Sequence, residues 1–285
     1  LAPPDSQSAQ LTYDLKQLAG ADDAAEVVVR SGATLGGSGA LDAKLVNEGV
    51  LSPGYSPGVQ TLSDFSQSAI GTTLIEIYGA GAAGAADGFD QISITNALSA
   101  DGTLDIQLME GYTPADGVTF DIFTYGSSTG SWSDISGLTF SGGYFEYLQD
   151  DDGITLTARV GHAGLESVAT GAGDDSLVLS DFDDTSGLLD LSGTRTTDSG
   201  TLAYRHIFKP NDLSLTVDTG AGGDVLAFEN LSLSSQAAEI SAEKITQASS
   251  SVVTAEGDLT LNAIEDLVLA ASAGVYSTSE SLSLS

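Results

Sequence analysis

Two stretches of this chain bring glycines and carboxylates together at a spacing that could hold a hard cation. Thr170-Gly171-Ala172-Gly173-Asp174-Asp175-Ser176-Leu177-Val178-Leu179 returns as Thr219-Gly220-Ala221-Gly222-Gly223-Asp224-Val225-Leu226-Ala227-Phe228, 49 residues later. Both fit Gly-x-Gly-x-Asp-x-Leu, at Gly171, Gly173, Asp175 and Leu177 and at Gly220, Gly222, Asp224 and Leu226. Glycines let backbone carbonyls approach an ion and the aspartate supplies charge, so Asp174, Asp175 and Asp224 are the candidate metal ligands. One such loop falls short of the roughly six to eight oxygens a calcium-sized ion takes, and read from the sequence each copy stands alone, as a corner that starts a strand. The acidic runs Asp150-Asp151-Asp152-Gly153 and Asp181-Phe182-Asp183-Asp184 read as exposed turns. Catalytic groups are thin: the chain has 2 histidines, His162 and His206, and lacks a Gly-x-Ser-x-Gly elbow, a His-Glu-x-x-His pair and a phosphate loop. Tyr204-Arg205-His206 with Lys209 is a locally basic spot, read as an outward strand or loop with snorkelling cations.

These residues sit in a very acidic chain. Against 40 Asp and Glu stand 8 Lys and Arg, a formal charge of -32 over 285 residues. That field opposes binding to nucleic acid or to an anionic membrane through a basic surface, and it draws divalent cations. With 0 cysteines there are no disulfides or thiolate sites, so packing and backbone ladders must supply the stability. No run approaches the roughly 18 apolar residues of a membrane helix, so no membrane insertion is expected in this segment. The chain opens on Leu1 rather than Met, which reads as a fragment or processed product.

The elements that must carry the sites are strands. Glu26-Val27-Val28-Val29-Arg30, Leu74–Tyr78, Gln91–Ile94, Thr103–Leu108, Val118–Phe123 and Ile154–Val160 alternate apolar and polar residues. Asp101-Gly102, Asp116-Gly117 and Asp152-Gly153 punctuate them as tight reversals, some of them hairpins. Leu11, Leu15 and Leu18 share one face of a short helix in residues 1–30, expected as an N-terminal cap or linker. Phe120, Phe123, Trp132, Phe140, Tyr144, Phe145 and Tyr147 concentrate aromatic side chains where antiparallel strands would close a first lobe. A boundary near Gly161-His162-Ala163-Gly164 divides a segment 31–160 from a repetitive segment 161–285, in which the 49-residue interval fits two solenoid turns. Gly257-Asp258-Leu259-Thr260-Leu261 is echoed by Glu265-Asp266-Leu267-Val268-Leu269, and Ser281-Leu282-Ser283-Leu284 begins another such strand, so further turns are expected to follow.

Ala33-Thr34-Leu35-Gly36-Gly37-Ser38-Gly39, then Val46-Asn47-Glu48-Gly49-Val50-Leu51-Ser52-Pro53-Gly54-Tyr55-Ser56-Pro57-Gly58, resembles the strand-repeat segment of autotransporter passenger domains and related giant secreted adhesins. The likeness covers roughly residues 31–140. The later repeats resemble the β-helix of filamentous-haemagglutinin-type adhesins, and the glycine frame is similar to the calcium-binding nonapeptide of RTX proteins. The resemblance implies an all-β right-handed parallel β-helix, with some antiparallel hairpin strands, exported to the bacterial cell surface or secreted. It implies a non-enzymatic adhesin or extracellular fibre segment, with extracellular matrix, a cell surface, a glycan or further copies of itself as partners. No cofactor is required, and Ca2+ is the ion expected at the glycine loops. The alternative is a polysaccharide lyase or hydrolase on the same scaffold, in which Arg205 or Lys209 would abstract a proton.

Overall fold

Alternating strands form a stable sheet when each finds a partner edge and buries its apolar side. In the computed structural model, which describes residues 10–12, 26–54, 57–183, 185–197, 200–270, 273–277 and 282–284, neighbouring turns of the chain supply both. The protein is all-β, its large sheets mostly parallel, an arrangement that fits a β-solenoid. It divides into two units, Leu1–Tyr144 with Asp151–Val160, and Phe145–Asp150 with Gly161–Ser285.

In the first unit β1 (Gln10–Thr12) and β2 (Glu26–Val29) precede a turn built of β3 (Thr34–Gly37) and β4 (Gly39–Asn47). The next turn is β5 (Val50–Pro53) and β6 (Val59–Gln67), the third β7 (Thr72–Ile77), β8 (Gln91–Ile94) and β9 (Ala97–Ala100). A fourth, β10 (Thr103–Leu108), β11 (Thr119–Thr124) and β12 (Ser127–Gly130), is followed by β13 (Asp134–Ser136). One parallel face stacks β1, β3, β5, β7, β10 and β13. The first half of β4 lies on the first half of β6 and that on β8, while the second halves continue to β9 and β12. Leu41, Leu62 and Ile94 thus stack on one inner face, and Leu45, Phe65 and Leu98 on the next, all buried. β14 (Thr139–Phe140) pairs antiparallel with the start of β15 (Gly143–Gln149), and β16 (Gly153–Val160) runs antiparallel to β11. The aromatic cluster packs there: Phe89 and Phe120 meet edge-on at 5.3 Å and Phe123 lies 5.5 Å from Trp132.

Polar residues inside this stack set its register. Buried Asn47 donates through Nδ2 to Gln67 Oε1 at 2.9 Å and to the Thr72 carbonyl at 2.9 Å, and its Oδ1 accepts the Gly49 amide. Gln67 Nε2 reaches the carbonyls of Gly71, Asp101 and Thr103, a turn further on. An apolar column tolerates a slip of two residues, whereas this amide chain would lose every partner. Asp90 plays a similar part between turns: Oδ1 accepts the Gly58 amide at 2.7 Å and Oδ2 the Glu76 amide at 3.0 Å. Burial pushes its carboxyl up to about 7 in spite of these two donors, and the Glu76 carboxylate adds to the rise.

The second unit repeats the plan. β17 (Ser167–Ala169) and β18 (Ser176–Asp181) are followed by a hairpin, β19 (Leu189–Thr197) and β20 (Gly200–Phe208). Then come β21 (Ser214–Asp218), β22 (Val225–Phe228) and β23 (Leu231–Leu233), β24 (Ala237–Gln247) and β25 (Val252–Ala255), β26 (Asp258–Leu269) and β27 (Gly274–Ser277), and β28 (Leu282–Leu284). β17, β21 and the first halves of β24 and β26 form one parallel stack that β28 extends. β18, β22 and the second halves of β24 and β26 form another, and β23, β25 and β27 a third. Leu177, Leu226 and Ile245 line the interior with Val217, Ile240, Leu261, Leu233 and Ala255. β19 lies antiparallel on the edge of β18 opposite β22, and β20 lies between β19 and Tyr147–Gln149 of β15.

Three expectations need correction. The 49-residue interval is one turn, because Ser176 pairs directly with Val225; the β19–β20 hairpin inserted between them supplies the excess length. Later turns, in which Leu215, Ala238, Leu259 and Leu282 stand in one column, are much shorter. Among the described residues there is no helix: Leu11 lies in β1, paired with Leu35, while Leu15 and Leu18 fall outside the described residues. Asp101-Gly102 is a corner between β9 and β10 rather than a hairpin, since both flanking strands pair with neighbouring turns.

Candidate functional site

The two glycine frames lie on top of each other. Ala172 bridges Ala221 in parallel, the Thr170 amide donates to the Asp218 carbonyl at 3.2 Å and the Gly173 amide to the Ala221 carbonyl at 3.0 Å. They are tandem copies in space though distant in sequence, so neither stands alone. Their carboxylates tie the turns together: Asp174 Oδ1 accepts the Gly223 amide at 2.8 Å, and Asp224 Oδ1 accepts the Asp175 amide at 2.9 Å. The Thr170 hydroxyl lies 2.7 Å from Asp175 Oδ2 and 2.9 Å from the Thr219 carbonyl, with one proton to give to either.

Asp175 is 2% exposed and Asp224 1%, so each carboxylate needs a counter-charge or a hydrogen bond at every oxygen. Asp175 faces an internal cation. Arg195, on β19, places Nε 3.7 Å from Asp175 Oδ2 and Nη1 2.8 Å from Asp150 Oδ1, and its guanidinium lies 5.2 Å from the centre of the Tyr204 ring. Burial first, and then Asp150, hold the Tyr204 hydroxyl well above its ordinary pKa, so it stays neutral. Among the described residues no arginine pairs with Asp224. Desolvation raises its carboxyl above the usual range; the Asp175 amide offsets part of this and the carboxylates of Asp175 and Asp174 add to it. Thr219 lies near enough to favour the ionised form without the geometry of a closed hydrogen bond, and Asp224 Oδ2 and Asp175 Oδ1 are buried with no hydrogen-bond partner among the described residues. Those two free oxygens, beside glycine corners that expose backbone, suit a hard cation; the arginine already balances Asp175. Among the described residues no three His, Asp or Glu side chains converge at a spacing that could hold a metal ion.

An open groove of about 480 Å³ runs past this corner, lined by Ala172, Gly173, Asp174, Thr196 and Thr197. The other acidic runs serve turns. Asp183 Oδ1 accepts the Thr185 amide at 2.7 Å and Asp181 Oδ1 the Ser232 amide at 2.8 Å, while Asp184 lies outside the described residues. Asp150, read as part of an exposed turn, is half-buried against Arg195.

The basic spot is not outward. Arg205 and His206 are buried because β20 has strands on both edges and cover on both faces. Arg205 holds Asp190 with Nε and with Nη2 at 2.8 Å, and its guanidinium lies 5.9 Å from the Phe182 ring; His206 Nε2 lies 2.7 Å from Glu146 Oε1. Arg205 is therefore spent on an internal pair rather than offered to a substrate. Lys209 gives its carbonyl to the Leu165 amide.

Sequence reasoning passed over Arg195. The signal was there: residues 189, 191, 193 and 195 share one face of the strand, and Leu189 and Leu191 are core, so an arginine on that face calls for an internal acid. Lysine at this position cannot span Asp150 and Asp175 with one planar fork and stacks less well on Tyr204. Arg195→Lys is expected to cost about 1–2 kcal/mol in urea unfolding, and a change below about 0.3 kcal/mol would show that the fork does not matter. No family model, curated protein or solved structure matches this chain.

Proposed function

We propose that the chain is a segment of a large secreted or cell-surface bacterial protein of the autotransporter-passenger or filamentous-haemagglutinin kind, a right-handed parallel β-helix that works as an adhesin or extracellular fibre element. The observation that carries this reading is the stacking itself: turn after turn places apolar side chains on those of the turn before, and internal amides lock the register. Such a stack is stiff, and its work is to hold faces and edges at fixed spacing. Matrix, cell-surface or glycan binding belongs to those faces, and end-to-end association to turns with a free edge. The second halves of β26 and β27 each have one strand partner among the described residues, and Val268, Leu269 and Tyr276 are 46%, 40% and 58% exposed there. Calcium is the proposed ion for the stacked glycine corners, with Asp174, Asp175 and Asp224 as ligands; Asp224 is the one with a free oxygen and no arginine beside it.

Electron microscopy of the purified protein tests the reading. Rods or end-to-end filaments are expected, and compact isometric particles at every concentration would overturn it. Turnover of uronic-acid polymers, with or without calcium, would assign the scaffold to an enzyme instead.

A further inference from the structure

The fold decides where the few cations of this chain go. Arg195 and Arg205 are drawn inside, the first against Asp150 and Asp175 and the second against Asp190. Arg30, Lys44 and Lys244 lie beside the carboxylates of Glu48, Glu26 and Asp266, at 3.0, 3.6 and 3.7 Å. With 8 Lys and Arg against 40 Asp and Glu in the whole chain, most carboxylates have no cation to meet.

Stacking then brings like charges together. Ser176 pairs with Val225, Val225 with Lys244 and Lys244 with Asp266, so the residues just before them, Asp175, Asp224, Glu243 and Glu265, follow one another along one corner. Their backbones are about 4.8 Å apart from turn to turn. Among the described residues a cation pairs with the first of these, Asp175, and with none of the other three. In the first unit Asp105 and Asp134 are diagonal neighbours on β10 and β13. An unfolded chain spreads such groups apart, whereas the coil fixes them one strand from each other. The distance over which they repel is about 30 Å at 0.01 M ionic strength, about 10 Å at 0.1 M and about 3 Å at 1 M. In dilute buffer the repulsion therefore sums over several turns, and in strong salt it is confined to the nearest contacts. Salt also weakens the three surface pairs, but exposed pairs contribute little, and the two buried guanidinium groups are screened far less. The repulsive side is the larger.

We propose that ionic strength is a conformational switch of this coil: in a dilute medium the carboxylates of successive turns loosen the stack, and monovalent salt at about 0.1 M and above closes it. The apolar columns inside are the same in both media, so salt changes the opposing force and leaves the packing as it is. This inference stands apart from the adhesin reading and from calcium at the glycine corners, because monovalent ions suffice for it.

The test is thermal unfolding of the whole chain in chelator-treated buffer, followed by circular dichroism and by the fluorescence of Trp132. Between about 0.01 M and about 1 M sodium chloride the midpoint should rise by at least about 10 °C, with most of the rise below about 0.3 M. Potassium chloride and sodium thiocyanate should match sodium chloride up to about 0.1 M, since screening depends on the charge of the ions and not on their kind. Glu166→Lys, Glu229→Lys and Glu265→Lys combined, all at exposed positions, should raise the midpoint in dilute buffer and cut its rise with salt by about a third. A midpoint that moves by less than about 2 °C across the sodium chloride range, a triple variant with the salt dependence of the parent, or a rise that calcium chloride alone produces would each overturn the proposal.

Discussion

Alanine at Gly220 is expected to destabilise the second unit by about 4 kcal/mol, while alanine at Gly171, the equivalent glycine one turn earlier, should cost only about 1 kcal/mol. Both have positive φ, +88° and +95°, so the conformational penalty is shared. What differs is the space. A Cβ at Gly220 would fall inside the Gly171 carbonyl group, which is backbone and cannot swing away, whereas one at Gly171 meets only Arg195 Nη2 at 3.3 Å, the far end of a flexible side chain. Relief at Gly220 means separating the two corners, and with them the bonds from the Asp175 and Gly223 amides to Asp224 and Asp174. Urea unfolding, with amide exchange of β22 as the local probe, measures both variants. Equal losses at the two positions would show that the corners are not in contact.

Acidification should stabilise the first unit. Asp90 has a folded pKa of about 7 against an ordinary 3.8, so the folded state holds its proton more tightly than the unfolded chain. The resulting stabilisation is fully present below about 3.8 and is lost as pH rises through about 7, some 4 kcal/mol in all and roughly 2–3 kcal/mol between pH 5 and pH 8. Mutual repulsion within a chain of charge -32 works in the same direction, so the control is Asp90→Asn at matched ionic strength. Asparagine cannot titrate, and its amide nitrogen leaves the Gly58 or Glu76 amide without an acceptor, a loss of about 1–2 kcal/mol with no dependence on pH. Trp132, the single tryptophan, is buried in this unit and reports its unfolding by fluorescence. The variant should show a flatter pH dependence than the parent, and identical slopes would mean that Asp90 is not the group responsible.

The strands were legible because their cause is local. Gln91–Ile94 and the first four residues of Thr103–Leu108 alternate so regularly that the burial of Ile92, Ile94, Leu104 and Ile106 follows from period 2 alone. Which strand lies beside which is a non-local property. The 49-residue interval could not reveal that Gly220 stacks on Gly171, since the residues of β19 and β20 look like one more turn until their antiparallel pairing is known. The same gap hid the surroundings of Arg205 and His206: polar residues in a strand read as outward unless a second layer is known to cover them. Of the candidate ligands, Asp174, Asp175 and Asp224 were found from their glycines, and the structure brings all three to one corner. Arg195 stayed out of sight, because an arginine among threonines carries no motif.

The strand laid across β18 gives the second stack a direction. With β22 on one side and β19 on the other, β18 has no backbone groups left for a newcomer, whereas the far sides of β26 and β27 still offer theirs among the described residues. Along that face β18 is closed on its outer edge, so the stack runs from it in one direction, through β22, β24 and β26.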